Sequence, residues 1–182
     1  MAKKQWHDFG IGPVAAHRHL NPNGTLGGWV QDTARVDPTA YVGPQAVVRG
    51  EAWVLDRARI TGRAFVGGNA EVGGKAWVRE DASVFGHAEV NGSARIGGKA
   101  RVYGAAVITD HAVVDGDATV CGSAWVTGQA VVCDAWVGGN ASVTGARWVY
   151  GDAEVFGWVE QDMCSGIVPC PEFLQTLTGG VR

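Results

Sequence analysis

The amino-acid sequence predicts an all-β fold, a parallel β-helix built from short stacked strands. A six-residue unit, Ala-x-Val-x-Gly-x, repeats from residue 28 to residue 157. The aliphatic position is Val or Ile in all 22 units, and the residue two places before it is Ala in 20 of them. A strict period of six argues against an amphipathic helix, because the apolar period of a helix is about 3.6 residues.

Each unit has the composition of a very short strand followed by a bend. Ala and Val stand two residues apart, so both side chains point to the same face of a strand. β-branched residues favour this extended geometry. Gly, Pro or an acidic residue then marks a turn. Strands this short are not stable alone, so the coils must stack and bury one continuous core.

Residues 1–27 precede the repeat and are predicted to form an N-terminal cap. They mix Trp6 and Phe9 with several Gly and Pro residues. The open end of a solenoid would add strands from another molecule, so such ends are normally covered. His17 and His19 leave a second interpretation open, a pair of metal ligands, although the sequence shows no third ligand.

Two irregularities interrupt the repeat region, residues 28–157. One residue is missing at Cys133-Asp134, which predicts a tighter corner. Arg147 stands where Ala is otherwise found, and an unpaired charge in the core is costly. We therefore expect either a local bulge at Arg147 or a side chain that turns outward.

Residues 158–182 leave the repeat and are predicted to form a C-terminal cap. The segment from Pro171 to Gly180 indicates a short helix, with Pro at its first position and Gly after its last. Phe173, Leu174 and Leu177 would share one face of this helix and pack on the last coil.

Composition narrows the compartment and the class of partner. The net charge is −3, which gives no electrostatic reason to expect nucleic acid or an anionic membrane. No apolar run is long enough to span a membrane, and the N-terminus lacks the apolar core of a signal peptide. A cytoplasmic protein is the expectation.

The four cysteines have no metal-binding spacing. Cys121 and Cys133 fall on outward positions of different faces, and Cys164 and Cys170 lie in the tail. We expect free thiols, as in a reducing cytosol, while a Cys164–Cys170 disulfide stays open as an alternative.

The repeat resembles that of the hexapeptide-repeat, left-handed parallel β-helix proteins. The segments 66–70, 72–76 and 96–100 match their pattern closely, with an aliphatic residue and a small residue four places later. The resemblance covers about 130 of the 182 residues. It implies a left-handed solenoid with triangular coils of three units each, and assembly into trimers. The opening Gly27-Gly28-Trp29-Val30 is similar to very regular bacterial and phage members labelled as transferases without a demonstrated substrate.

The resemblance also implies a candidate activity. Many members are acyltransferases that use acyl-CoA and a His general base. The candidate bases here are His87 and His111, which fall at different corners more than one coil apart; Asp110 adjoins His111. Other members are carbonic anhydrases, but their closely spaced zinc-binding His pair is missing from this sequence. No metal site is expected.

Three units per coil would stack residues 18 apart into ladders on three outer faces. We name these faces by their ladders. The first face carries Arg35, Trp53, Glu71, Glu89, Val107 and Trp125; the second carries Tyr41, Arg59, Trp77, Arg95, Val113, Val131, Trp148 and Tyr150; the third carries Trp29, Val47, Phe65, Phe85, Tyr103, Thr119, Cys121, Trp136 and Phe156.

The third face is predicted to be an oligomer interface, because it holds six of the twelve outward aromatic residues. A contiguous apolar face of this size usually marks an interface. The interface residues are Trp29, Phe65, Phe85, Tyr103, Trp136 and Phe156. The alternative is that aromatic side chains simply stack well on exposed strands.

The second face is a candidate binding site for an anionic or sugar ligand. Arg59, Trp77 and Arg95 stack on successive coils, and Arg79 lies close by. Arg beside Trp is a cation–π arrangement. A solvated ladder that only supports itself is the alternative.

Two functions follow from these observations. The first is a rigid oligomeric solenoid that binds a partner or small ligand without catalysis and needs no cofactor. The second is an acyltransferase that uses acetyl-CoA, with a His base at a subunit interface. The repeat contains no loop insertion, and solenoid enzymes commonly build substrate sites from such loops. The sequence therefore favours the binding protein.

Overall fold

The structure is a computed structural model of the 182-residue chain, and it describes residues 5–157 and 163–165. These residues form strands, turns and bends and contain no helix. The all-β prediction is therefore confirmed for the described part of the chain. The predicted helix after Pro171 and the side chains of Cys164 and Cys170 lie outside the described residues.

Most of the strands are only two residues long. In chain order they are β1 Trp6–Asp8, β2 Pro13–Leu20, β3 Leu26–Gln31, β4 Arg35–Val36, β5 Tyr41–Val42, β6 Val47–Val48, β7 Trp53–Val54, β8 Arg59–Ile60, β9 Phe65–Val66, β10 Glu71–Val72, β11 Trp77–Val78, β12 Ser83–Val84, β13 Glu89–Val90, β14 Arg95–Ile96, β15 Arg101–Val102, β16 Val107–Ile108, β17 Val113–Asp115, β18 Thr119–Val120, β19 Trp125–Val126, β20 Val131–Cys133, β21 Trp136–Val137, β22 Ser142–Val143, β23 Trp148–Gly151, β24 Glu154–Val155 and β25 Met163–Ser165.

Every third strand of the repeat belongs to the same sheet, which gives about seven stacked coils. The first face is a seven-stranded sheet (β4 to β22), the second an eight-stranded sheet (β5 to β25), and the third a ten-stranded sheet (β1 to β24). From β3 onward all pairs are parallel, and residues 18 apart are partners, as Trp77 is with Arg59 and Arg95. The 18-residue stacking of the first and second faces is confirmed, whereas the strand ladder of the third face runs through Ser83, Arg101 and Glu154 in place of Phe85, Tyr103 and Phe156.

The interior is a column of Ala and Val side chains. Nearly all the Ala and Val or Ile residues of the repeat are 0% exposed, from Val30 to Val149. Because both side chains of each unit face inward, the three faces share one core. The stacking also explains why strands of two residues persist: each strand inside a sheet has hydrogen-bonded neighbours on both sides.

The corners require backbone in the left-handed region, which favours glycine. Gly68, for example, has φ +65°, and a Cβ there would lie 2.9 Å from the backbone nitrogen of Gly86 in the next coil. At other corners an acidic residue takes this conformation, as Asp56 (φ 55°) and Glu80 (φ 61°) do. Their carboxylates accept the backbone N–H one coil above, from Gly74 at 3.0 Å and from Gly98 at 2.6 Å.

The shortened unit is absorbed at Asp134. The bend is made at this one residue, which has φ 54°. Strand pairing then continues with Thr119 opposite Trp136, and these two residues are only 17 apart in the sequence. The carboxylate of Asp134 accepts the backbone N–H of Asp117 at 2.7 Å. At the same corner one coil earlier, the N–H of Lys99 bonds to the carbonyl of Gly116 instead. A side-chain oxygen thus replaces the backbone carbonyl that the missing residue would supply.

Arg147 causes no bulge. Strand β23 pairs with β20 without a register shift, and the carbonyl of Arg147 accepts the N–H of Val131 at 2.9 Å. The half-buried guanidinium donates to the carbonyl and hydroxyl oxygens of Thr144, at 2.8 and 3.1 Å. The side chain reaches back to the preceding corner, so its charge is not left in the core.

The N-terminal strands β1 and β2 lie antiparallel beside β3 and extend the third face. His19, in β2, and Asn21, directly after the end of β2, are buried. His19 Nε2 lies 3.1 Å from the carbonyl of Ala40, and burial lowers the pKa of its imidazole. The amide of Asn21 accepts the N–H of Val42 and donates to its carbonyl, at 2.8 and 3.1 Å.

Candidate functional site

The third face consists of two adjacent rows of outward side chains. One row comes from the strands, and the other from the residues two places later, where the chain begins to bend. Large and small residues alternate between the rows. Phe65 lies over Gly67, where a Cβ would overlap its ring, and Trp136 lies over Gly138, where a Cβ would be 3.2 Å from the indole nitrogen.

In the middle of the third face the aromatic residues move to the second row. Phe85 and Tyr103 stack with ring centres 5.0 Å apart and planes 7° from parallel. Ser83 and Arg101 occupy the strand row beside them. The guanidinium of Arg101 lies 5.9 Å from the Phe85 ring and 5.8 Å from the Tyr103 ring, within cation–π range.

Three polar side chains connect the middle of the face to its C-terminal part. The indole N–H of Trp136 donates to the Sγ of Cys121 at 3.2 Å. The hydrogen bond between Tyr103 and Cys121, with a smaller contribution from burial, raises the pKa of the Tyr103 phenol. Cys121 is a free thiol. Trp136 also contacts Phe156, with ring centres 6.1 Å apart.

A basic groove lies at the N-terminal end of the third face. Its volume is about 310 Å³, and its lining residues are His7, Phe9, Val47, Arg49, Arg63 and Phe65. The guanidinium of Arg49 lies 4.9 Å above the Phe65 ring. The β1 segment closes the other side, where His7 stacks on Trp29 with ring centres 4.2 Å apart and meets Phe9 edge-on at 4.6 Å.

An acidic groove lies at the opposite end of the same face. Its volume is about 270 Å³, and it is lined by Asp117, Thr119, Asp134, Ala135, Trp136, Asp152, Ala153 and Glu154. The third face therefore carries opposite charges at its two ends, with the stacked Phe85 and Tyr103 between them. The aromatic residues of the third face were predicted from the sequence, but this separation of charge was not. The 18-residue spacing of the charged residues could have revealed it.

The second face brings together three of its four predicted ligand-binding residues. The Trp77 ring lies between two guanidinium groups, with Arg59 at 5.3 Å and Arg79 at 5.5 Å from its centre. Arg59 also lies 5.7 Å from the ring of Tyr41. The indole N–H of Trp77 donates to the hydroxyl of Thr61 at 2.7 Å, which fixes the ring. Arg95 continues the ladder as the strand partner of Trp77.

Arg79 is held by carboxylates. It lies across Gly97 and bonds to Asp115, two coils away, at 2.9 Å, and to Glu80 at 2.8 Å. The side chains of Arg79 and Asp115 are only 17% and 11% exposed. This ion pair braces three coils, so Arg59 and Arg95 are the more accessible cations of the cluster. Among the described residues neither forms an ion pair with a carboxylate.

The two candidate general bases lie apart. His87 is exposed at the corner that follows the third face, and His111 is exposed at the corner between the first and second faces. The carboxylate of Asp110, the neighbour of His111, accepts the backbone N–H of Gly128 at 3.0 Å. Among the described residues, neither the His87 nor the His111 imidazole forms a hydrogen bond with a side chain. Only His87 borders the aromatic face.

The described residues contain no group of three or more His, Cys, Asp or Glu that could hold a metal ion. The possible ligand pair His17 and His19 makes other contacts. His17 Nδ1 lies 2.9 Å from the carboxylate of Asp32, and His19 contacts the carbonyl of Ala40. In addition, none of the residues that the structure describes forms a helix long and apolar enough to cross a membrane.

No protein-family model matches this chain, and no curated protein matches it. The geometry of the β-solenoid and of its outer faces is therefore the basis for a functional conclusion.

Proposed function

We propose that the protein is a rigid, homo-oligomeric β-solenoid that acts by binding, with the third face as its self-association surface. The observation that carries this proposal is the band of aromatic side chains on one flat face, from Phe65 through Phe85 and Tyr103 to Trp136 and Phe156. Burial of apolar surface contributes about 25 cal/mol per Å², so covering the band favours association.

Contact between the exposed rings, rather than their exposure, separates the third face from the first. Trp136 is 44% exposed and Phe156 is 56% exposed, and the two rings touch each other. On the first face Trp53 and Trp125 are also exposed, but β7 and β19 are separated by three intervening strands. Single exposed aromatic residues are ordinary, whereas a continuous band indicates an interface. The family resemblance implies three copies, and we propose a cytoplasmic location for the assembly.

Two matched substitutions test the self-association. Trp136→Thr removes an aromatic ring from the third face, and Trp125→Thr removes the equivalent ring from the first face. We expect wild type and Trp125→Thr to be oligomers by native mass spectrometry and light scattering at micromolar concentration, and Trp136→Thr to dissociate at least tenfold more readily. A monomeric wild-type protein would contradict the proposal.

The second face supports an additional role in binding small anions. Arg59 stands between the rings of Tyr41 and Trp77, so its guanidinium is preorganised with donors left for a ligand. Titration with inorganic phosphate, followed by tryptophan fluorescence, should show saturable binding that Arg59→Gln abolishes and Arg57→Gln, at an exposed corner, leaves intact. A linear fluorescence response, or equal binding by both variants, would contradict this role.

For the alternative function, an acyltransferase, the structure favours one of the two candidate bases. Of the two candidate bases, His87 borders the third face, so a site completed by a neighbouring copy would use His87 rather than His111. Transfer from acetyl-CoA to an amine or alcohol acceptor, lost in His87→Ala with unchanged melting temperature, would favour the enzyme. Without any rate in the wild-type protein, the binding function stands alone.

A further inference from the structure

We infer that two copies of this chain associate through their third faces in antiparallel orientation, about a two-fold axis that passes between β12 and β15. This inference rests on the self-association proposed above and specifies its geometry. The occupant of the third face is thus a second copy with its solenoid axis reversed. The distribution of charge, the sizes of the side chains and the positions of the two grooves all fit this orientation.

Charge along the third face and its preceding corner is divided between the two ends. Among the described residues, the cations of this surface end at β15 and only carboxylates follow it: the cations are Arg18, Arg49, Arg63, Lys99 and Arg101, and the carboxylates beyond β15 are Asp117, Asp134, Asp152 and Glu154. Within residues 102–157 the one further Arg or Lys is Arg147, which bonds to Thr144 at a different corner. In the N-terminal part, Asp81 is bound by Arg63 at 2.6 Å and Glu80 by Arg79 at 2.8 Å, while Glu51 lies on the opposite corner.

A two-fold axis parallel to the strands reverses the order of the coils and brings each corner against the same corner of the other copy. Strand β9 then faces β18, and β6 faces β21. Arg63 comes opposite Asp117 and Lys99 comes opposite Asp81, so each partner of the Arg63–Asp81 ion pair gains a second, oppositely charged neighbour from the other copy. The basic groove beside Phe65 faces the acidic groove beside Trp136, and by symmetry this contact is made twice, as an isologous interface requires.

Side-chain size fits the same arrangement. Val47 comes opposite Trp136, and Phe65 comes opposite Thr119, so each large side chain of the strand row meets a smaller one. Near the axis, the stacked pair of Phe85 and Tyr103 meets its own symmetry mate, which extends the aromatic stack across the interface.

Size alone does not select the orientation, because the two rows of one face also complement each other when the copies run parallel. Charge does select it. Parallel copies, as two-fold or three-fold assemblies, would place the acidic ends at the same height and the basic ends at the same height. Like charges brought together across an interface oppose association. The antiparallel pair instead matches opposite charges at both ends.

The size of the face makes the charges important. Eight strands at a spacing of about 4.8 Å and a width of about 17 Å give roughly 600 Å² per copy, or roughly 1,200 Å² in total. This area is at the lower limit for a specific interface. Opposite charges therefore contribute to partner choice and orientation, and we expect added salt to weaken the dimer.

A charge exchange tests the orientation. The variants are Arg63→Asp, Asp117→Arg and the double variant, with Arg57→Asp, at the corner between the first and second faces, as the control. The measurement is the dimer dissociation constant by analytical ultracentrifugation, with the melting temperature of each variant as a check on folding. We expect about a tenfold weaker dimer for each single substitution, recovery to within about threefold in the double variant, and no change for Arg57→Asp.

The outcomes separate this inference from the proposed function. A dimer whose affinity is recovered by the double variant supports the antiparallel pair. A trimer, or a dimer that the double variant weakens further, overturns the antiparallel pair but keeps the self-association. A wild-type monomer at all concentrations overturns both.

Discussion

The interior of the solenoid and its outer surface differ in how regularly the side chains repeat. Inside, the same pair of side chains recurs from coil to coil, and nearly every member of the column is 0% exposed. Outside, no two ladders are alike, and charged, aromatic and small residues alternate without a fixed period. The interior determines the fold by repetition, and the exterior carries the features that distinguish one face from another.

This difference predicts where a substitution should change stability and where it should change association. Apart from the Arg79–Asp115 ion pair, the contacts described above join neighbouring coils, so the stability of the solenoid is approximately a sum of similar local contributions. A change inside or at a corner should lower stability. A change on an outer face should act chiefly on binding.

The largest effect on stability is expected for an interior residue. Ile96 is 0% exposed and is stacked between Val78 and Val114. Ile96→Ala leaves a cavity and should lower the free energy of unfolding by about 2–5 kcal/mol. Val107→Ala, at a partly exposed outward position of the first face, should cost less than about 1 kcal/mol. Guanidinium denaturation measures both, and equal losses would refute the distinction between inside and outside.

The next effect separates the stacking of corners from backbone conformation. Gly98 and Gly139 have nearly the same φ, +60° and +62°. A Cβ at residue 98 would lie 2.6 Å from the carbonyl oxygen of Gly116, whereas the nearest atom to a Cβ at residue 139 is 3.6 Å away. Gly139→Ala should therefore cost only the left-handed conformation, about 1–2 kcal/mol, and Gly98→Ala should cost clearly more. Equal melting temperatures would show that the coils move apart easily.

A smaller effect is expected at the shortened corner. Asp134→Ala removes the acceptor for the N–H of Asp117 and should cost about 1–2 kcal/mol. Asp134→Asn keeps an acceptor oxygen and a residue that tolerates positive φ, so its cost should be below about 1 kcal/mol. Thermal denaturation of the two variants compares them directly. If Asn were as destabilising as Ala, the carboxylate charge rather than the replaced carbonyl would be the important feature.

The smallest effect is a dependence on pH at the N-terminal end. Burial lowers the pKa of His19 in the folded protein from its ordinary 6.5, so the unfolded chain binds the proton more readily. The contribution of His19 to stability is fully present above pH 6.5 and is lost as pH falls through the lowered pKa of the folded state. His19→Gln should reduce this dependence, and His111→Gln, at an exposed corner, should leave it unchanged. Unfolding free energies measured between pH 8 and pH 5 provide the test.

The sequence was sufficient to predict the architecture because the interior repeats. Within the repeat, the register of each ladder follows from the 18-residue spacing, which becomes 17 in the three strand pairs that span the missing residue at Asp134. The aromatic residues of the third face were also predictable, since outward positions alternate with inward ones along each strand.

Features that depend on the reach of a side chain were not predictable from spacing. The ladder spacing gives Arg79 neighbours one coil away, yet its guanidinium passes Gly97 and ends at Asp115, two coils away. The antiparallel register of β1 and β2 lies outside the repeat, so nothing in the period indicated that His7 would stack on Trp29. Such contacts depend on rotamers and on packing between segments, which a repeat pattern does not encode.

The amide of Asn21 has a consequence for growth of the assembly along the solenoid axis. Strand β5 is the first of its sheet, and its Val42 carries one N–H and one carbonyl that point away from the next coil. A parallel stack with such groups free would be a template, and successive molecules could polymerise end to end as a fibre. Because one planar side chain occupies both groups, the second face offers no starting point for elongation at Val42. Asn21 thus blocks the addition of another strand at this edge of the sheet, and Asn21→Ala would expose a site at which filaments could nucleate.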